Sequence, residues 1–389
     1  MHGQFAREFW ASLALRHSEG LGPRTWRKLL EHYGSAEAAV SQADSWPDQG
    51  LATRYLAENL LQGKWREAAL AEWRMVLDKG FRVLLYSDRG FPERLRQIPS
   101  PPLFLYFEGD VGLLARPCLA VVGSRSCSRY GLDAAGTIAR DLSRMGLTVV
   151  SGFAMGIDRQ AHAMAVSEAG RSIAVMGTGI DLIYPARNRE LWQSMRERGL
   201  LLSEFHPGTR PEAHNFPKRN RIISGLCLGV LVVEAAKQSG SLITARMAME
   251  QNRDVFALPG PINLETYAGC NALIREGAML ARSARDILDE LEPVLRSEWP
   301  ADFASASGPP PVGFEPGRQT CLAVLDSLNP EERQVAQFLL EHPESHIDSL
   351  AASLGWGCSK VSQILLMLEI QGVVKQLSGM YYSLVPLQK

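Results

Sequence analysis

Hydrophobic and polar positions follow three successive patterns along the chain. Over residues 1–80 apolar positions recur at intervals of three and four: Phe5, Phe9, Trp10 and Leu13, then Trp26, Leu29, Leu30 and Tyr33. That period is helical. From residue 81 to about 290 short apolar, β-rich runs alternate with helical patterns. The runs are Leu119–Gly123, Leu147–Gly152, Ser172–Gly177, Leu200–Phe205, Leu228–Ala235 and Asp254–Gly260. Several are almost continuously apolar, as strands buried on both faces must be. Alternation of this kind predicts a doubly wound α/β sheet. Phe81–Tyr86 and Leu103–Phe107 read as two further strands that extend the sheet or link it to the helices before it.

The pattern stops over residues 296–319, where Pro300, Pro309, Pro310, Pro311 and Pro316 lie among Gly, Ser and Ala. This composition is that of a linker. Residues 320–389 then predict helices at Glu331–Leu340, Ile347–Leu354 and Ser359–Gln371, with Ser359 as N-cap of the last. A two-strand hairpin follows through Val373–Leu377 and Met380–Leu384. Three helices and a hairpin make a winged helix. The domains expected are therefore 1–80, 81–295, a linker at 296–319, and 320–389.

Composition narrows the class. In 389 residues, 46% are hydrophobic and 21% charged, which excludes a mostly disordered chain. No apolar run approaches the roughly 18–20 residues that cross a bilayer. Phe9–Leu15 is flanked by charge and reads as one side of a helix, not as a signal peptide. The six cysteines form no C-x-x-C pair and have no zinc spacing. They read as thiols of a reducing cytoplasm, and neither a metal nor a cofactor is expected.

Net charge is −1, which by itself speaks against a polyanion as partner. Divided by region it is 0 for residues 1–80, +2 for 81–319 and −3 for 320–389. The densest basic feature is Phe216-Pro217-Lys218-Arg219-Asn220-Arg221, read as a loop between a strand and a helix. Cations beside an aromatic suit single-stranded nucleic acid, whose phosphates need charge and whose bases need a stacking surface. A solvated charged face is the plainer alternative. Phe216 and Phe153 are open to either reading, base stacking or core.

Ligands of open α/β sheets bind at the carboxyl ends of the strands. There the chain places Gly123-Ser124-Arg125, then Ser151-Gly152-Phe153, then Gly177-Thr178-Gly179 and, after the fifth run, Ser239-Gly240-Ser241 with Thr244. Glycine lets a backbone approach closely, serine offers a hydroxyl, and the following helix turns its positive end to the loop. Each loop alone is an ordinary turn. Four on one side of a sheet indicate a phosphate-rich ligand. The dinucleotide fingerprint G-x-G-x-x-G and the P-loop motif are both missing. Upstream, Gly20-Leu21-Gly22-Pro23 reads either as a helix-hairpin-helix turn that could seat a phosphate or as a plain corner between helices.

No catalytic set stands out. Ser151, Asp158 and His162 are near in sequence, but Asp158 and His162 at i and i+4 read as a structural hydrogen bond. Glu234 at a strand end reads as a general base or as the cap of a loop.

In order along the chain, Val121-Val122-Gly123-Ser124-Arg125, Ser151-Gly152-x-Ala154-x-Gly156-Ile157-Asp158-x-x-Ala161-His162, Tyr184-Pro185-x-x-Asn188, Phe216-Pro217-x-Arg219-Asn220-Arg221-Ile222-Ile223-Ser224-Gly225 and Ser239-Gly240-Ser241-Leu242-Ile243-Thr244-Ala245 resemble the DNA-processing protein A (DprA, Smf) family. The resemblance implies an extended Rossmann-like sheet, an N-terminal helical domain of helix-hairpin-helix or SAM-like type, and a C-terminal winged helix. It implies a cytoplasmic, non-enzymatic protein of natural transformation that binds and protects incoming single-stranded DNA. Such a protein helps load the RecA recombinase and dimerises through the Rossmann-like domain. Carried over residue by residue, the DNA-binding positions are Gly123, Ser124, Arg125, Gly152, Lys218, Arg219 and Asn220. The physical reading extends the set to Ser151, Phe153, Phe216, Arg221, Ser239, Gly240, Ser241 and Thr244.

The winged helix departs from that expectation. Its presumed recognition helix carries only Lys360 and ends apolar at Ile364, Leu365, Leu366 and Leu368. A major-groove reader needs basic charge, so a protein contact or an auxiliary DNA role is expected. Two other functions compete. A Rossmann-like phosphoribohydrolase would carry P-G-G-x-G-T-x-x-E, where this chain has Pro259-Gly260-Pro261-Ile262-Asn263. A winged-helix regulator with a ligand-sensing Rossmann domain would need a basic reading helix.

Overall fold

A computed structural model describes residues 2–299, 329–342, 345–371, 373–377 and 379–384. These divide into two compact units. One comprises residues 2–21 and 33–80 with the described residues from 329 onward, and the other residues 22–32 with 81–299.

The helical part begins with α1 (His2–His17), α2 (Pro23–Tyr33), α3 (Ala36–Ser41), α4 (Arg54–Leu61) and α5 (Arg66–Lys79). The period-3.6 stripe of α1 meets α5 in an aromatic core: Phe9 lies 5.0 Å from Trp73, and Trp10 5.3 Å from Trp65, between ring centroids. Glu72 is fully buried among these rings and is bonded by Arg16 and His17. Of these helices α2 belongs with the second unit, which the sequence pattern does not foretell.

That second unit is the α/β sheet. Its elements are β1 (Arg82–Leu85), α6 (Glu93–Arg96), β2 (Phe104–Gly109), β3 (Cys118–Val122), α7 (Arg129–Arg144), β4 (Thr148–Ser151), α8 (Ile157–Ala169), β5 (Ser172–Val175), α9 (Arg189–Arg198), β6 (Leu200–Ser203), α10 (Asn215–Leu226), β7 (Gly229–Val232), α11 (Gly240–Glu250), β8 (Asp254–Ala257), α12 (Ala268–Arg275), β9 (Met279–Leu280) and α13 (Ala284–Glu298). Among the described residues nine strands form one sheet, in the order β1-β2-β6-β5-β4-β3-β7-β8-β9. The six predicted runs are the parallel strands β3 to β8, and every residue of β3 to β7 is buried. Each such Val, Leu or Ile contributes roughly 1.5–3 kcal/mol of burial. The strands at Phe81–Tyr86 and Leu103–Phe107 do extend the sheet, as an antiparallel pair on β6. The short edge strand β9 carries too little apolar pattern to be foreseen.

Chain order turns round at β3: β4, β5 and β6 lie on one side of it, β7, β8 and β9 on the other. This is a topological switch point, where the loops after β3 and β7 part and leave a crevice. It is where an α/β sheet of this Rossmann-like kind holds its ligand.

The C-terminal described residues form α14 (Pro330–Glu341), β10 (Ser345–His346), α15 (Ile347–Leu354), α16 (Cys358–Ile370), β11 (Val374–Leu377) and β12 (Tyr381–Leu384). The hairpin β11–β12 is the wing, and β10 adds a third strand to it. Val335, Leu339, Leu350, Val361, Leu365 and Leu368 share one core. The N-cap of α16 is Gly357, not Ser359, which lies inside the helix. Residues 296–298 of the expected linker close α13, and residues 300–319 lie outside the described residues. So does Cys321. Of the remaining cysteines Cys118, Cys227 and Cys270 are buried free thiols, Cys127 is half-buried and Cys358 exposed.

Candidate nucleic-acid interface

The loop after β3 leaves the sheet at Gly123, where a Cβ would stand 2.6 Å from the Ile157 side chain. Glycine is needed here because α8 packs against the strand end. The loop then exposes Arg125, whose guanidinium lies 5.2 Å from the centre of the Phe216 ring. Phe216 is half-buried, with the Tyr184 ring 6.0 Å away on α10's side of the crevice. A groove of about 480 Å³ opens beside them. Gly123, Arg125, Phe216 and Asn220 line one part of it, and Gly240, Ser241 and Thr244 another. A smaller pocket of about 60 Å³ continues from Arg125, Tyr184 and Phe216 to Gly152, Phe153 and Gly177.

The basic run is not a loop. Lys218, Arg219, Asn220 and Arg221 lie in α10, and a helix sends successive side chains in different directions. Lys218 is exposed. Arg219 is 4% exposed; it forms part of the groove wall while donating to the carbonyls of Gly152 and Val175. Burial lowers the pKa of Arg219 to about 10, against the pull of Asp158. Arg221 Nη2 donates to both carboxylate oxygens of Glu204, and Arg221, like Lys218, is not among the residues that line the groove. Asn220 is buried at the groove wall, and its Oδ1 accepts from Arg219 Nε at 3.1 Å. Among the described residues no ion pair holds Arg125 or Lys218, so their charge is available to a ligand.

Of three expected contacts at the end of β4, Gly152 and Phe153 line the smaller pocket and Ser151 points inward. Ser151 is fully buried and donates its hydroxyl to Val121 O at 2.6 Å. Gly152 is small because the Arg219 guanidinium occupies the space of a Cβ, at 2.6 Å. Phe153 is 1% exposed, in the core, with φ of +60°. A non-glycine residue in that region carries strain of roughly 1–3 kcal/mol; Asn188 Nδ2, donating to Phe153 O at 2.8 Å, helps hold it.

The helix ends differ from the simple expectation too. Ser128 is the N-cap of α7, and the fully buried Glu234 carboxylate sits on that end, accepting from Ser128 N and Oγ. Of its two readings Glu234 is therefore a loop cap. Asp158 accepts from Gly152 N and Ala154 N, not from His162. Burial raises its pKa, with Arg219 opposing. His162 instead pairs through Nδ1 with Ser172 Oγ at 2.8 Å, and burial first, then Arg219, lowers its pKa to about 3. The Asp158–His162 bond read from the i, i+4 spacing is thus replaced by two separate ones. At α11 the N-cap is Ser239, whose hydroxyl lies 2.7 Å from that of Ser241, and no carboxylate is bonded there among the described residues.

Tyr184 belongs to the quoted Tyr184-Pro185 motif but is left out of the expected DNA-binding set. It is 40% exposed at the junction of groove and pocket. The signal that could have found it is an aromatic after β5, on the same side of the sheet as Phe216.

The geometry agrees with comparisons to known proteins. Residues 82–292 match the family of DNA recombination-mediator protein A, residues 323–380 the DprA winged helix domain, and residues 6–52 the DprA-like N-terminal HHH domain. Protein Smf of a Synechocystis strain is 33% identical over 96% of this chain and 98% of its own. DNA processing protein DprA of Streptococcus pneumoniae is 46% identical over 53% of this chain and 72% of its own. The X-ray structure of the S. pneumoniae protein covers 75% of this chain and 98% of its own at 36% identity, with a TM-score of 0.62.

Proposed function

The chain belongs to the DNA recombination-mediator protein A (DprA, Smf) family, and from that premise we propose that it binds single-stranded DNA along the switch-point groove. The observation that carries this reading is the exposed Arg125 stacked on Phe216 at the mouth of a groove. A cation meets phosphates there, and a half-buried ring beside it offers a stacking face. Lys218 adds charge from the exposed side of α10. Gly123, Ser124, Asn220 and the Ser239–Ser241 turn with Thr244 supply close backbone approach and hydrogen bonds. Ser151 and Arg221 act as the internal frame of the site, and Gly152, Phe153 and Arg219 form its walls.

The protein protects incoming strands during natural transformation and helps RecA load on them. It works in the cytoplasm, in keeping with its buried free thiols. It forms a homodimer through the Rossmann-like domain; Ile262, 97% exposed, with Leu264 and, on the edge strand β9, Leu280 leaves apolar surface for such a contact. The proposed domain limits stay at 1–80, 81–295, 296–319 and 320–389. The role is non-enzymatic; Asp158 is bonded by the amides of Gly152 and Ala154 and His162 by Ser172, with no bond between the two.

Competition between labelled oligo-dT, duplex DNA and nucleoside monophosphates for the purified chain tests the reading. Oligo-dT should bind at least tenfold more tightly than either rival. Preference for a monophosphate, with release of its base, would favour the phosphoribohydrolase alternative, and preference for duplex the regulator.

A further inference from the structure

A buried carboxylate beneath a site meant for phosphates calls for a reason, because burying an uncompensated negative charge is costly. Glu234 stands two residues beyond the end of β7, after Val233, and is fully buried. No cation is paired with it among the described residues. Its partners are all in or around the Arg125 loop. Glu234 O accepts from Ser124 N at 2.7 Å. The carboxylate accepts from Ser128 N at 2.9 and 3.1 Å and from Ser128 Oγ at 2.8 Å. Tyr267 donates its hydroxyl to the same oxygen at 3.1 Å. The next turn of α7 leaves no alternative seat: a Cβ on Gly131 would stand 2.2 Å from that oxygen.

We propose that Glu234 is the positioning residue of the single-strand site, fixing both ends of the 124–128 loop and so the place of Arg125. The proposal rests on the single-strand reading above. One residue of β7's end grips the loop's first amide through its backbone and its last residue through its side chain. The carboxylate takes the anion position at the positive end of α7, so that end is closed to phosphate. The loop's exposed residues, Arg125 and Ser126, are left to face the ligand. Glu234 touches no ligand itself.

Two variants and their combination test this by oligo-dT anisotropy over a series of salt concentrations. Glu234→Ala should weaken binding about tenfold and lower the slope of log K against log salt, because fewer phosphates are neutralised. Glu234→Gln keeps an acceptor for Ser128 N and should recover most of the loss. The decisive readout is the cycle with Arg125→Ala. If Glu234 acts through Arg125, the double variant binds no worse than the weaker single one; sites that act independently lose affinity additively in free energy. Additive losses, or unchanged binding by folded Glu234→Ala, overturn the proposal. Should Glu234→Ala fail to fold, Ser128→Ala takes its place in the same cycle, where non-additive losses support the positioning role and additive losses overturn it. Wild-type protein that ignores oligo-dT, or an Arg125→Ala variant that binds as wild type, would instead bring down the single-strand reading. Loss in Arg125→Ala with an additive cycle brings down only the positioning role.

Discussion

Two helices of this protein stand where nucleic-acid readers stand in other folds, and their cations are used in opposite ways. α10 carries Lys218, Arg219 and Arg221, and α16 carries Lys360. In α10 one cation faces solvent and two are spent inside: Arg219 on two strand-end carbonyls, Arg221 on Glu204. In α16 the single cation is already engaged, with Lys360 Nζ 2.7 Å from Glu331 and 4.5 Å from the centre of the Trp356 ring. The rest of its exposed face, Ser359, Ser362 and Gln363, is neutral. The available charge therefore differs from the count of basic residues in both helices. The central site draws as much on Arg125, from a different loop, as on the helix with the conspicuous run.

The sharpest break of this comparison is at Arg219. If it is frame and not contact, Arg219→Met leaves Asp158 buried without its cation and two carbonyls without a donor. Each buried acceptor left without its donor costs about 1–3 kcal/mol, so the two carbonyls together lose about 2–6 kcal/mol. Urea unfolding should show a fall of that size in stability, while any folded protein at low urea keeps the wild-type salt slope for oligo-dT. Unchanged stability with a reduced slope would return Arg219 to the ligand side.

Next in size is the removal of the available charge. Arg125→Ala with Lys218→Ala should weaken oligo-dT binding about 150-fold or more, since charge-assisted hydrogen bonds are worth about 1.5–3 kcal/mol each. The salt slope should fall by about 1.4, at about 0.7 for each phosphate of a single strand. The melting temperature should hold, because among the described residues neither cation is held in an ion pair. Anisotropy titrations at several salt concentrations read both quantities.

The fold was legible because its signals are local and periodic. The six near-continuous apolar runs became β3 to β8, and the turn-flanked runs of the C-terminal region became its helices and wing. The site was legible as a set of loops but not as a set of contacts. Ser151 stands at a strand end just as Gly123 does, yet Ser151 faces Val121 while Gly123 lines the crevice. What separates them is strand order, since the switch point falls beside β3 and not beside β4, and order is a long-range property. In the same way Lys218 and Arg219 are neighbours in sequence with opposite fates, because treating their segment as a loop hid the rotation that a helix imposes. The i, i+4 pair Asp158 and His162 misled for a related reason: nearer partners, the amides of Gly152 and Ala154 and the hydroxyl of Ser172, come from strand ends and loops that sequence spacing does not bring together.

The smallest expected effect tests the other half of the comparison. Residues 320–389 have a net charge of −3, and the one cation of α16 is held by Glu331. Near a polyanion such a surface is repelled, or is neutral at best, once salt screens it beyond about 8–10 Å. Deleting residues 320–389 should therefore leave oligo-dT affinity within severalfold of the full chain and its salt slope unchanged. A change in the slope would mean that the deleted segment had itself displaced counterions from the strand. A small gain in affinity at low salt, fading as salt rises, would mark the removal of a repulsive acidic surface. A loss of tenfold or more with a shallower slope would show that α16 reads the strand despite its neutral face, and would move the winged helix from a protein contact to a second nucleic-acid site.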